Sequence, residues 1–133
     1  MRIVFLDTVG LIALWDKHDQ WHKEANQAYG LLKKTPFVAI TSSYILLECA
    51  NAAARRNYRD LLIKLRADLL AQGMLIEPKD EDVTNAWASY HVHREGTASV
   101  VDLTSFAIMK RLGITEVFSN DRHFKAARFT TLF

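Results

Sequence analysis

The chain has one cysteine, two prolines and no long apolar run, and each shortage narrows what it can be. Cys49 has no second thiol to join, which excludes an internal disulfide and, with no charged-then-apolar leader at the start, predicts a reducing, cytoplasmic setting. No apolar stretch approaches the roughly 20 residues that a membrane-spanning helix needs, so no membrane association is predicted. Pro36 and Pro78 stand beside apolar segments as punctuation, and no Pro/Gly/Ser-rich linker, repeat or low-complexity tract divides the sequence. Charge of one sign is also missing. Seventeen Lys+Arg against fifteen Asp+Glu leaves a net +2, which permits nucleic-acid contact without the field of a basic tail.

What is present is a hydrophobic half of 133 residues, enough for one core and too little for two domains of usual size, so residues 1–133 are expected to form a single domain. Arg2-Ile3-Val4-Phe5-Leu6 is a continuous β-branched and aromatic run, the pattern of a central strand covered on both faces; 37–40, 74–76 and 116–118 read the same way. Helical periodicity fills the intervals, at 9–15, 20–32, 44–56, 58–71, 81–94 and 102–112. Thr41, Ser42 and Ser43 offer N-caps for the third helix, and Gly113 suits the left-handed position after the last. Strands alternating with helices predict an α/β fold: a three-layer α/β/α, doubly wound parallel sheet.

That architecture gives four scattered carboxylates a place to meet. Ligands of open α/β sheets bind beyond the carboxyl ends of the strands, at a switch in strand order. Asp7 follows the first strand directly and Asp121 follows the 116–118 strand. Glu48 lies about two turns into the third helix, on the side that carries Ile45 and Ala52, and Asp102 belongs to a helix that is apolar nearly all round. An isolated carboxylate against a core is costly without a partner, and hard divalent cations such as magnesium or manganese take oxygen ligands. Each acid also has a plainer reading. Asp7 before Thr8 can cap a helix, Asp102 stands three residues after Ser99 at capping-box spacing, Asp121 can be a turn or cap residue, and Glu48 can face an arginine.

Other chemistry is weaker. His18 and His22 are four apart but lack a third zinc ligand at a telling spacing, and Cys49 reads as a small core residue. Trp15, Trp21, Trp87 and Tyr90 are expected to pack in the core or an interface rather than stack on bases. Of the cations near the acids (Arg55, Arg56, Arg59, Lys110, Arg111, Arg122, His123, Lys125), Arg55, Arg56 and Arg122 are the candidates for an RNA backbone. A phosphatase that forms an aspartyl-phosphate is disfavoured, because Val9 stands where it needs a second acid.

Four blocks occur in order: Ile3-Val4-Phe5-Leu6-Asp7-Thr8, Thr41-Ser42-Ser43-Tyr44-Ile45-Leu46-Leu47-Glu48, Val101-Asp102-Leu103-Thr104-Ser105-Phe106, and Ser119-Asn120-Asp121-Arg122-His123-Phe124. Together they resemble a PIN domain, most nearly the small toxin ribonucleases of the virulence-associated-protein-C (VapC) type. The resemblance implies metal-dependent RNA cleavage around one or two Mg2+ or Mn2+ ions, with Asp7 and Asp102 as the most direct ligands and Glu48 and Asp121 completing the pocket. Thr8 and Ser119 match positions where the family often has a supporting hydroxyl, whereas Val101 stands where many of these toxins carry threonine. It further implies a small antitoxin partner and a homodimer, with helices between residues 9 and 70 as candidate contacts. An RNA-processing nuclease of the same fold without an antitoxin, and a non-catalytic binding module, are the alternatives.

Overall fold

The computed structural model describes residues 1–92 and 98–133. Its elements are β1 (Arg2–Leu6), α1 (Thr8–Trp15), α2 (His22–Leu32), β2 (Phe37–Ser42), α3 (Ser43–Ala53), α4 (Arg59–Gln72), β3 (Leu75–Ile76), α5 (Asp80–Val92), α6 (Val100–Leu112), β4 (Glu116–Phe118), α7 (Arg122–Ala126) and β5 (Thr130–Thr131). All five strands are parallel, in the order β3-β2-β1-β4-β5. The chain winds outward from β1 through β2 to β3, then crosses by α5 and α6 to β4 on the other side of β1. The reversal therefore lies between β1 and β4, and the carboxyl ends of those two strands flank the expected ligand crevice.

Burial explains why β1 is central. Val4 and Phe5 are fully enclosed, and they join Val117, Phe118, Ile45, Ile108, Met109 and Phe124 in one hydrophobic cluster. α1 packs on α2 and α3, α3 on α4, α5 on α6, and α6 on α7. Phe106 makes an edge contact with Phe124 at 4.9 Å between ring centroids and a tilted one with Phe129, which fixes α7 against α6.

Element boundaries moved where local hydrogen bonding outweighed periodicity. Asp16 and Asp19 accept from the backbone N–H of His18 and Trp21, holding 17–21 in turns and delaying α2 to His22. α3 stops at Ala53, so Arg55 and Arg56 lie beyond it rather than in its last turn. α6 begins at Val100 because Ser99 caps it. The expected helix over 81–94 runs from Asp80 to Val92, and its last two positions, His93 and Arg94, fall outside the described residues. The five-residue α7 and two-residue β5 are too short to show a period. Among the described residues, no helix is long and apolar enough to cross a membrane.

Candidate metal centre

The crevice is assembled from Asp7 outward. Asp7 N–H donates to Phe118 O at 3.4 Å, extending the contact between β1 and β4 by one residue. The side chain turns back to cap α1, Oδ2 accepting from Val9 N at 3.3 Å. The same oxygen accepts from Ser119 Oγ at 2.8 Å, and Ser119 Oγ in turn accepts from Asp121 N at 3.1 Å. One hydroxyl thus ties together the ends of two strands. Gly10 allows α1 to lie this close: a Cβ there would stand 2.0 Å from Phe118 O, inside any real contact.

Asp102 and Asp121 enter on helix N-termini. Ser99 Oγ accepts from Asp102 N at 3.1 Å while Asp102 Oδ2 accepts from Ser99 N at 3.3 Å, a capping box with Asp in place of Glu. Asp121 caps α7, its Oδ1 accepting from His123 N at 2.9 Å and lying 2.9 Å from His123 Nδ1. The plainer readings of Asp7, Asp102 and Asp121 as caps therefore hold as well, and capping is what aims each carboxylate. Glu48 is half-buried and accepts from Thr8 Oγ1 at 2.7 Å. It shares its helix with an inward face of Ile45, Leu46, Cys49 and Ala53, and sits at the edge of that face; Ala52, expected on its side, is exposed because it lies round toward solvent.

Electrostatics shows the acids acting on one another. Burial pushes the Asp7 carboxyl up to about 7, and the negative charges of Asp102 and Asp121 add to it, against the hydrogen bonds from Ser119 and Val9. Asp102 is raised as well, first by burial, then by Asp121 and, beyond its cap bonds, by Glu48. Asp7 is 1% exposed, and its Oδ1 has no hydrogen-bond partner among the described residues. A buried oxygen without a donor, in a pocket of mutually repelling carboxylates, fits a hard divalent cation. Among the described residues, one group of His, Cys, Asp and Glu has ligand atoms close enough for an ion: Asp102, Asp121 and His123, all within 4.8 Å of one another.

His123 was grouped by sequence with cations toward RNA, yet the structure sets it against Asp121; the signal available was its place two residues after the acid, within reach of the same helix start. Arg111, placed in the same group, is committed elsewhere. It grips buried Asp82 with Nε at 3.1 Å and Nη2 at 2.8 Å, because α5 and α6 run side by side. That pair borders a separate cleft of about 550 Å³, lined by Asn85, Ser89, Leu103, Phe106 and Lys110. Arg55, Arg56 and Arg122 are exposed, Arg122 directly beside Asp121. His22 Nδ1 lies 2.8 Å from Ala13 O and its Nε2 lies 3.1 Å from Asn26 Nδ2, and neither His18 nor His22 belongs to the group of possible ion ligands found among the described residues. Cys49 is buried, its thiol pushed up to about 12 by desolvation and the nearby Asp7 charge, which disfavours the thiolate. Of the four aromatics expected to pack in the core or an interface, Trp15 packs against Tyr58, while Trp21, Trp87 and Tyr90 are exposed, the last two in edge contact with each other at 5.8 Å between centroids.

Comparison with known proteins agrees with the fold. Residues 4–130 match the PIN domain model. The chain is 30% identical over 128 residues, 96% of its length and 95% of the relative's, to the 23S rRNA-specific endonuclease VapC20 of Mycobacterium tuberculosis. The crystal structure of that protein, described as a sarcin-ricin loop cleaving toxin, superposes with a TM-score of 0.79 at 29% identity over 96% of both chains. FitAB bound to a DNA fragment superposes with a TM-score of 0.67 at 15% identity, over 96% of this chain and 92% of that one, which shows a shared fold. The chain belongs to the PIN-domain family and is a homologue of the VapC toxin endonucleases.

Proposed function

We propose that residues 1–133 form a single metal-dependent ribonuclease domain, the toxin of a type II toxin–antitoxin pair acting in the cytoplasm, and that Asp7, Glu48, Asp102 and Asp121 are its site. The observation that carries the reading is Asp7: a fully buried carboxylate at the sheet's switch point, with one oxygen unpartnered and two further acids acting on it. Similarity to an rRNA endonuclease across nearly the whole chain supports RNA as substrate.

Asp7 and Asp102 hold the ion, with Asp121 and Glu48 closing the acidic pocket. A bound Mg2+ or Mn2+, one or two in number, supplies Lewis acidity, lowering the pKa of an attacking water and offsetting charge on the phosphoryl oxygens. The protein's own part is orientation. Ser119 holds Asp7 Oδ2 and the Asp121 backbone in register, and Thr8 holds Glu48 Oε1. Both hydroxyls donate to carboxylates, stabilising the ionised forms that a cation needs. Arg122, beside Asp121, and Arg55 and Arg56, past the end of α3, attract the RNA backbone as exposed cations.

The antitoxin is proposed to cover a groove of about 200 Å³ whose apolar lining includes Leu11, Leu14, Trp15, Leu32, Leu61 and Leu65, with Lys64 and Asp68 on it as well. A homodimer uses exposed apolar side chains between residues 9 and 70, Leu47 and Ile63 among them. The defining experiment is RNA cleavage by the wild type and Asp7→Asn with magnesium, with manganese and with chelator. Wild-type cutting that depends on the metal and is lost in Asp7→Asn is expected; equal cutting by both, or indifference to chelator, overturns the reading.

A further inference from the structure

Among the described residues, His123 is the nitrogen-bearing member of the cluster that Asp102 and Asp121 otherwise make of oxygens, and two contacts fix its placement. Its backbone N–H donates to Asp121 Oδ1 at 2.9 Å, and its ring Nδ1 lies 2.9 Å from the same oxygen. The backbone bond caps α7 and so fixes where the imidazole can go. Side-chain exposure of 24% for His123 and 20% for Asp121 leaves the pair at the rim of the crevice, open on one side and walled on the other. A donor atom of Asp102, from the start of α6, completes a triangle with sides no longer than 4.8 Å.

That triangle is what neighbouring ligands of one ion present. Two donors each about 2.1 Å from a cation, at a right angle, stand about 3 Å apart, and opposite donors about 4.2 Å apart. The Nδ1 to Oδ1 separation falls at the first value, and the 4.8 Å limit leaves room for the small contraction that follows binding. A second observation, independent of the triangle, says that an ion belongs here: the unpartnered Oδ1 of Asp7, 1% exposed, whose carboxylate interacts with both Asp102 and Asp121.

We infer that His123 is a ligand of the bound cation, donating Nδ1 beside Asp102 and Asp121, and that this nitrogen makes the site favour manganese and other transition cations over magnesium. The inference rests on the metal-nuclease reading of the same pocket. In the metal-free protein the Nδ1 proton serves the hydrogen bond to Asp121; on binding, the neutral ring carries its proton on Nε2 instead and turns the Nδ1 lone pair to the ion. No oxidation or net transfer is involved. The preference follows from ligand type, since carboxylates accept magnesium and manganese alike while imidazole suits transition ions and gives little to magnesium.

The test uses the full chain loaded with Mn2+ alone. Pulsed electron paramagnetic resonance reads the nuclei bonded to manganese, and titration calorimetry reads Mn2+ and Mg2+ affinities. The wild type is expected to show a directly bonded imidazole 14N coupling. His123→Asn, whose amide can still donate to Asp121 Oδ1 and so keeps the cap geometry, should lose that coupling. It should also bind Mn2+ at least about tenfold more weakly while Mg2+ changes by less than about threefold, within the range seen when single groups around a metal are removed. His123→Ala serves as the second variant, and thermal melts of both establish that the fold is kept. Manganese bound without 14N coupling, or equal weakening of the two metals, overturns the assignment and leaves His123 as a residue that only orients Asp121. Failure of the wild type to bind either metal, with Asp7→Asn indistinguishable from it, removes the nuclease reading and this inference together.

Discussion

Replacing Asp7 by asparagine should stabilise the metal-free protein above neutral pH and leave it nearly unchanged in acid. In the folded chain the Asp7 carboxyl titrates at about 7, against a reference of 3.8, because burial disfavours its charge and Asp102 and Asp121 repel it. An acid raised in this way binds a proton in the folded state that the unfolded state has released. Folding is therefore penalised progressively as pH climbs from about 4 to about 7, and the whole penalty stands above that. A gap of about three pH units at about 1.4 kcal/mol each amounts to about 4 kcal/mol, an upper bound, since local relaxation reduces it. Asparagine keeps an oxygen for Ser119 Oγ and Val9 N and turns an amide toward the neighbouring acids in place of the repelling Oδ1. For a chain of this size about 3 °C accompanies each kcal/mol, so the melting temperature in chelator should rise by up to about 12 °C near pH 8 and by little near pH 4. Manganese should narrow the gap and, at about 1,000 times its Kd, close it, because a ligand at that concentration adds about 4.1 kcal/mol to whichever form binds it. Calorimetric melts across that pH range, with and without metal, measure both effects. A variant that melts below the wild type in chelator near pH 8, or a difference independent of pH, would refute the argument and leave Asp7 as an ordinary cap.

The other predictions concern the scaffold. Arg111→Met should lower stability by about 3 kcal/mol in chemical denaturation, since it strands the buried Asp82 carboxylate; Asp82→Asn with Arg111→Met together should lose less than the single change. Arg111 holds the Asp82 carboxyl below its usual value, so the pair's contribution is complete above about pH 4 and lost as pH falls through that lowered value; a wild-type acid transition steeper than that of the double variant is the expected reading. Gly10→Ala should cost about 1–3 kcal/mol and weaken manganese binding in the same calorimetric titration, because the added Cβ drives α1 away from Phe118 and Asp7 from Ser119.

How much of this was legible beforehand depended on how local the signal was. β1 shows itself because Val4, Phe5 and Leu6 are buried consecutively, which only a strand covered on both faces requires. The parallel, doubly wound sheet follows from alternation of strand and helix, and PIN membership from blocks spread over the chain. α7 and β5 were not legible, since five and two residues hold no period and their places depend on Phe106, Phe124 and Phe129 packing together. Nor was the Asp82 pairing, made across a gap of 29 residues by helix packing. At the site, strand-end placement put Asp7 and Asp121 at one edge of the sheet, and Asp102, read from the helix that is apolar nearly all round, reaches them from the first turn of α6. The part of Thr8 and Ser119 as hydrogen-bond donors came through family likeness. The role of His123 at Asp121 needed coordinates, because which way a capped ring turns is not written in spacing.

Ser119 also carries a consequence for timing. It joins Asp7 to a segment 112 residues later, and β1 has no β4 neighbour until that segment exists. A chain emerging from the ribosome presents Asp7, Glu48 and Asp102 while Glu116–Phe118 is still unmade, so its N-terminal half can pair β1 with β2 and pack α1 through α4 without a closed pocket. The acids meet only when β4 slots in beside β1, one of the last pairings to become possible and one of long loop closure. For an enzyme that cuts RNA, this order of assembly leaves the acidic pocket incomplete on the nascent chain until Glu116–Phe118 and Asp121 have been made.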